Sequence, residues 1–139
     1  NDARLFGYRA AMKELGYKPE YIITHDEKRE QVAPALSAYL DQHGCPDGLF
    51  CYNDDMAIGA YPIFRERGMK IPDDVAIVGC NGIRDTSYVY PTLTTIVQPL
   101  QQVCATAWSF LKQRIDDPTL PLQQIVLSAR LEIQGSTCR

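Results

Sequence analysis

The amino-acid sequence predicts an α/β protein, a doubly wound three-layer sandwich built on a mostly parallel sheet. Three observations predict it. Helical and extended segments alternate in the order α-β-α-β-α-β, the pattern of parallel strands joined by crossover helices on both faces of a sheet. The run Val75 to Gly79 is apolar throughout, as a strand covered on both faces must be. Polar residues sit where strands give way to helices, foremost Asn53, Asp54 and Asp55 after the apolar Leu49 to Tyr52. Open α/β sheets hold their ligands at such joints.

Taken in order, Asp2 to Leu15 reads as a helix with Ala3, Phe6, Gly7, Ala10 and Ala11 on its inner stripe and Gly16 as its stop. Arg4 lies in the first turn, where a cation faces the positive end of the helix dipole at a cost of roughly a few tenths of a kcal/mol. It is either a solvated cation tolerated there or a side chain held to grip a ligand. Tyr21 to Thr24 reads as a strand and His25 to Lys28 as a loop. A second helix, Glu30 to His43, turns Val32, Leu36, Tyr39 and Leu40 inward and carries Pro34 close to its first turn.

The third helix runs from Asp54 to Arg67. Met56, Ala57, Ala60, Ile63 and Phe64 form its core stripe, while Ile58 and Tyr61 form a second apolar face that suggests contact with a partner. Pro62 removes a backbone hydrogen bond inside this helix. The strand Val75 to Gly79 ends at Cys80-Asn81-Gly82, a second polar joint, and a loop with Arg84, Asp85, Tyr88 and Tyr90 leads to Pro91. Leu93 to Val97 is a β-branched strand. Leu100 to Ile115 is a helix expected to bury Leu100, Val103, Cys104, Ala107, Trp108 and Leu111. Gln124 to Ala129 and Leu131 to Ile133 are expected as closing strands. A sheet that opens on a helix and carries so long a tail suggests a piece of a longer protein.

Composition narrows the function. The net charge of -3 argues against a nucleic-acid surface on this chain, because phosphate contacts need clustered Lys and Arg. No apolar run approaches the roughly 20 residues of a membrane span, and no signal-peptide pattern opens the chain. The five cysteines (Cys45, Cys51, Cys80, Cys104, Cys138) are odd in number and lack C-x-x-C spacing. Cys51, Cys80 and Cys104 lie in apolar stretches and are expected as buried free thiols, which points to the cytoplasm. No metal site and no cofactor is expected.

In parallel strands Arg4, Asp26, Asn53, Asp54 and Asn81 all fall on the carboxyl edge of the sheet, where helix amino termini also point. Carboxylate and amide oxygens accept from hydroxyls and a guanidinium donates to ring or hydroxyl oxygens, so the set suits a hydroxyl-rich or purine-like small molecule. It lacks a nucleophile elbow, a glycine-rich phosphate loop and a histidine cluster. Binding is favoured over catalysis. One of Asp54 and Asp55 has helix capping as its default role.

Four motifs carry a family resemblance. R-x-x-G-Y at Arg4 to Tyr8, N-D-x-M-A-x-G at Asn53 to Gly59, I-P-D-D-V-A-I-V-G at Ile71 to Gly79 and P-x-L-T-T-I-x-Q-P at Pro91 to Pro99 resemble the effector-binding domain of the lactose-repressor/galactose-repressor family. The closing L-x-x-R-L-E-I-Q-G-S-T from Leu127 to Thr137 is similar to that family's terminal strand. The resemblance implies a periplasmic-binding-protein-like fold of type I, of which this chain is the C-terminal subdomain. Residues 1–98 form that subdomain, residues 99–126 pack on an N-terminal subdomain outside this chain, and residues 127–139 return. Trp108 and its neighbours would then be exposed here.

The function implied is that of a bacterial transcription regulator. It would form a homodimer, bind a sugar or nucleoside-like effector and contact operator DNA through an N-terminal helix-turn-helix domain. By the same resemblance Arg4 grips the ligand, Asn53 is a strand-end contact, and Asp54 is a cap or network residue. Asn81 stands where the family usually has Asp, and Gln98 is a crossover residue facing the ligand. Glu27 stands where many members stack an aromatic ring on the ligand. Ile58, Tyr61, Tyr88 and Val89 fall at the two-fold interface. Two other classes stay open: a solute-binding protein of a sugar transporter, and an enzyme with Cys51 or Cys80 as nucleophile.

Overall fold

The computed structural model describes residues 3–18 and 29–138. In chain order it contains helices α1 (Ala3–Glu14) and α2 (Arg29–His43), strand β1 (Gly48–Phe50), helix α3 (Asp54–Glu66) and strand β2 (Ala76–Asn81). A 3-10 turn (Arg84–Ser87), strand β3 (Thr94–Val97), helix α4 (Leu100–Asp116) and strand β4 (Arg130–Glu132) follow. The expected strand Tyr21 to Thr24 and the loop after it lie outside the described residues.

The sheet has the order β1-β2-β3-β4. β1 pairs with β2 and β2 with β3 in parallel, with Phe50 opposite Val78 and Asn81 opposite Val97. β4 closes the sheet antiparallel to β3, with Ile96 opposite Leu131. The mostly parallel α/β sheet is therefore as the sequence predicts. Alternate residues of β2 face opposite sides. Ile77 joins the core beneath α2 and α3, while Ala76 and Val78 look toward α1.

α3 is the best-anchored helix. Asn53, at φ -144° and ψ 171°, caps it by accepting from the Met56 backbone N–H at 2.8 Å. Asp54 and Asp55 complement the dipole in the first turn. Ala57, Ala60 and Phe64 are fully buried, as are Ile77, Val75 and Leu93 opposite them. The helix runs through Pro62 without a break.

Of the second apolar face of α3, Tyr61 is used inside the chain. On its Gly59 side α3 lies so close to α2 that a Cβ on Gly59 would stand 2.9 Å from Arg29 Cγ and 3.1 Å from its carbonyl oxygen. Tyr61 keeps only 8% of its surface, and its hydroxyl donates to the Pro91 carbonyl at 2.9 Å. Burial pushes the Tyr61 pKa up to about 12. Ile58 is half-buried against the same core.

The polar tail is structural. Ser136, fully buried, donates from Oγ to the Ile77 carbonyl at 2.6 Å and accepts from the Thr94 N–H at 2.9 Å. Its backbone bonds Thr92 and Ile77, and Thr137 Oγ1 lies 2.7 Å from Thr94 Oγ1. The tail thus stitches the starts of β2 and β3 together through groups that would otherwise be buried unpaired.

Other expectations fail for identifiable reasons. α1 buries no residue, and Phe6 on the expected inner stripe is 77% exposed. Arg4, Leu5, Tyr8 and Met12 face the sheet instead, along a stripe whose first member is charged. α4 also buries none of the residues assigned to its core, and Cys104 is exposed. Among the described residues the irregular 123–129 segment lies beside Val103, Ala107 and Phe110, and Trp108 and Leu111 stay exposed. Gln124 to Ala129 forms no strand because it has no edge to pair with, and only Arg130–Glu132 does.

A Cβ on Gly79 would collide with Asp54 Oδ1 and stand 3.1 Å from Leu93 Cδ2. Gly79→Ala is expected to lower the unfolding free energy by about 3 kcal/mol, measured by urea denaturation. An unchanged midpoint would contradict this packing.

Candidate ligand-binding site

The carboxyl edge of the sheet is built from the ends of β1, β2 and β3 and the start of α1. Asn81 closes β2 at φ 122°, a conformation that asparagine tolerates better than most side chains. Gly82 follows at φ 75°, where a Cβ would stand 2.9 Å from both methyl groups of Val97. This pair of residues turns the chain so that two successive N–H groups, of Gly82 and Ile83, point at one oxygen.

That oxygen belongs to Asp54. Its Oδ2 accepts from Gly82 N at 2.6 Å and Ile83 N at 2.9 Å, and its Oδ1 accepts from Thr95 Oγ1 at 2.6 Å. Asp54 has no exposed surface. Successive N–H groups arranged this way form an anion nest, and the buried charge is tolerable because donors surround it. The helix cap is Asn53, not Asp54, so Asp54 is a network residue with no surface open to a ligand in this structure.

In front of that network, three sequence-distant residues meet. Arg4 Nη2 donates to Asn81 Oδ1 at 3.2 Å and Gln98 Nε2 donates to the same oxygen at 3.0 Å. The Gln98 N–H also bonds the Asn81 carbonyl at 3.4 Å. The Arg4 guanidinium carbon lies 4.2 Å from the centre of the Tyr52 ring, a cation–π contact. Burial works against the Arg4 charge, but hydrogen bonding and charge interaction with Cys80, then with Tyr52, outweigh it and raise the pKa. A guanidinium so held is a fixed donor at the mouth of the edge.

Of the residues singled out by sequence, Arg4, Asn81 and Gln98 are thus in direct contact. Asn53 is adjacent in the chain to Tyr52 but serves the helix. Glu27 lies outside the described residues. Tyr88 is 85% exposed and Tyr90 95%, whereas Val89 packs partly against the core. Sequence reasoning missed Tyr52 and Thr95. The signal for Tyr52 was an aromatic residue at the last position before the polar joint. Thr95 carried none beyond its β-branched strand.

Cys51 does not fit a nucleophile. It is buried, and burial together with the Asp54 charge pushes its pKa up to about 12, which leaves almost no thiolate near neutral pH.

The family model of the periplasmic binding protein-like domain matches residues 1–137. The chain belongs to this family. The ribose operon repressor of Escherichia coli (strain K12) is 36% identical over 135 residues, covering 96% of this chain and 41% of that protein. A LacI family transcriptional regulator from Arthrobacter sp. FB24, solved in complex with lactose, superposes with a TM-score of 0.88 at 28% identity. That match covers 97% of this chain and 50% of the other. A LacI family regulator from Enterococcus faecium with bound ribose gives a TM-score of 0.86 at 28% identity over the same shares. The periplasmic binding protein-like chain described here therefore spans about two-fifths of the curated repressors it matches and half of the solved chains. No helix among its described residues is long and apolar enough to cross a membrane.

Asp54→Asn puts an amide against the Gly82 and Ile83 N–H groups and removes their anion. It is expected to cost about 2–4 kcal/mol of stability by urea denaturation. A cost below about 0.5 kcal/mol would mean that the carboxylate is not what holds the joint.

Proposed function

We propose that this chain is the C-terminal subdomain of the effector-binding part of a bacterial transcription regulator, acting in the cytoplasm. It binds a sugar or nucleoside-like effector at the edge formed by Arg4, Tyr52, Asn81 and Gln98, and it forms a homodimer. The full-length protein contacts operator DNA through a helix-turn-helix domain elsewhere in its chain. The observation that carries this proposal is the meeting of Arg4, Asn81 and Gln98 at the carboxyl edge of the sheet, in a chain whose relatives include the ribose operon repressor and regulators solved with lactose and ribose. The repressor relatives favour a regulator over a transporter's solute-binding protein, and none of those named is an enzyme.

Residues 99–126 belong on this proposal to the contact with the N-terminal subdomain, which accounts for an α4 whose Trp108 is 62% exposed. Residues 127–139 return to the C-terminal subdomain through β4 and the Ser136 stitch. By the family resemblance Asn53 and Glu27 also serve the ligand, and Asp54 holds the shape of the edge from behind. The dimer face draws on Ile58 and Val89 at its base and on the exposed rings of Tyr88 and Tyr90, since Tyr61 is committed to the core.

A thermal-shift screen of the full-length protein with D-ribose, lactose, nucleosides and polyols tests the effector. At least one is expected to raise the midpoint by a few degrees, as a ligand that binds only the folded state must, and Arg4→Ala is expected to abolish the shift. If no sugar, nucleoside or polyol raises the midpoint and operator binding is indifferent to all of them, the proposal fails. In a parallel test, Tyr88→Ser with Tyr90→Ser is expected to weaken self-association of the full-length protein at least about tenfold in analytical ultracentrifugation, because exposed aromatic anchors carry much of an interface's energy.

A further inference from the structure

Two of the contacts that hold Arg4 do different things. Its Nη2 donates to Asn81 Oδ1 at 3.2 Å, a hydrogen bond that fixes one nitrogen but leaves the guanidinium plane able to turn about it. The Tyr52 ring supplies what that bond lacks. The guanidinium carbon stands 4.2 Å from the ring centroid, inside the roughly 6 Å over which the face of an aromatic ring attracts a cation. Such a hold matters for Arg4, which sits in the first turn of α1 against the helix dipole, on a helix that buries no residue. The platform under it is rigid. On one side of Tyr52 the Cys51 N–H bonds the Val78 carbonyl at 2.8 Å, and on the other Asn53 is fixed as the cap of α3. Tyr52 is thus clamped in the chain just past the end of β1, where it is half-buried.

We infer that Tyr52 is a positioning residue for the effector: the face of its ring, acting through Arg4, sets the plane in which the guanidinium offers its donors to the bound molecule. Arg4 then meets the effector already aimed, and the rotamer freedom of a long side chain is lost on folding rather than on binding. Effector affinity accordingly depends on the electron density of a ring that need not touch the effector. This inference rests on the effector proposal above and adds to it the residue that aims its cation. The face of the ring carries the effect rather than the hydroxyl. Phenylalanine can therefore stand in for tyrosine, and an aliphatic side chain cannot.

With the full-length protein and D-ribose as the probe, calorimetric titration is expected to show Tyr52→Leu binding at least about fivefold more weakly than the wild type. Tyr52→Phe is expected to recover most of that loss. Replacing Tyr52 by mono-, di- and trifluorinated phenylalanine then separates aim from packing, because fluorine withdraws charge from the ring face while barely changing its size. Affinity is expected to fall step by step along that series with the unfolding midpoint unchanged. Equal affinity across it, or a Tyr52→Leu variant that binds as tightly as the wild type, overturns the inference while leaving the effector proposal standing. If the wild type itself takes up no D-ribose, the choice of a ribose-like effector falls and this inference falls with it. A second measurement needs no effector: the Arg4 Nε–H proton, assigned in the 15N-labelled full-length protein by its loss in Arg4→Lys, is expected to move downfield in Tyr52→Leu as the shielding of the ring is removed. A resonance that stays in place overturns the inference.

Discussion

The carboxylate of Asp54 is the interaction on which the rest of this structure depends. It is the first residue of α3, yet it reaches across the sheet to the turn after β2 and to the hydroxyl of Thr95 on β3. One side chain thus ties a helix start to two strand ends. The close fit of Gly79 against it, with no room for a Cβ, lets the helix sit low enough to make those bonds. A buried charge is tolerated only where donors converge on it, and here the donors are backbone N–H groups aimed by the positive φ of Asn81 and Gly82. The geometry of the anchor and that of the ligand edge are consequently one problem. The turn that satisfies Asp54 on one side presents the Asn81 side chain on the other.

This arrangement separates support from contact. Asp54 lies behind the edge with no exposed surface, while Asn81, Arg4 and Gln98 lie in front and share one oxygen. Gln98 immediately precedes the Pro99-to-α4 segment, so the shared oxygen also links the edge to the chain that leaves the sheet. The Tyr52 ring beneath the Arg4 guanidinium adds an apolar floor that limits where the cation can move.

Much of the fold was legible because periodicity and punctuation agree in the sequence. The continuous apolar run of β2, the capped and amphipathic α3, and the glycine stops after α1, α2 and α3 each fix an element locally. α1 and α4 were misread for a common reason. Periodicity finds an apolar stripe but not what covers it, and Phe6 and Trp108 remain exposed. On α3 the same ambiguity ran the other way for Tyr61, which is buried within the chain with its hydroxyl on the Pro91 carbonyl. The 124–129 segment has β-like composition, but a strand exists only where a neighbour offers an edge.

The candidate site divides along the same line. By itself the sequence determined the residue types at the strand-to-helix joints and their order along the chain, because a parallel sheet sends every such joint to one edge. It also determined that Arg4 breaks the preference of a helix start for acidic groups. Only the tertiary structure decided that Asn53 rather than Asp54 caps α3, that Asp54 is spent inside, and that Arg4 and Gln98 meet on a single oxygen of Asn81. The last two outcomes depend on distances between residues 17 to 77 positions apart. Such distances are set by how the strands pair and how closely the helices lie on them, which no local pattern encodes.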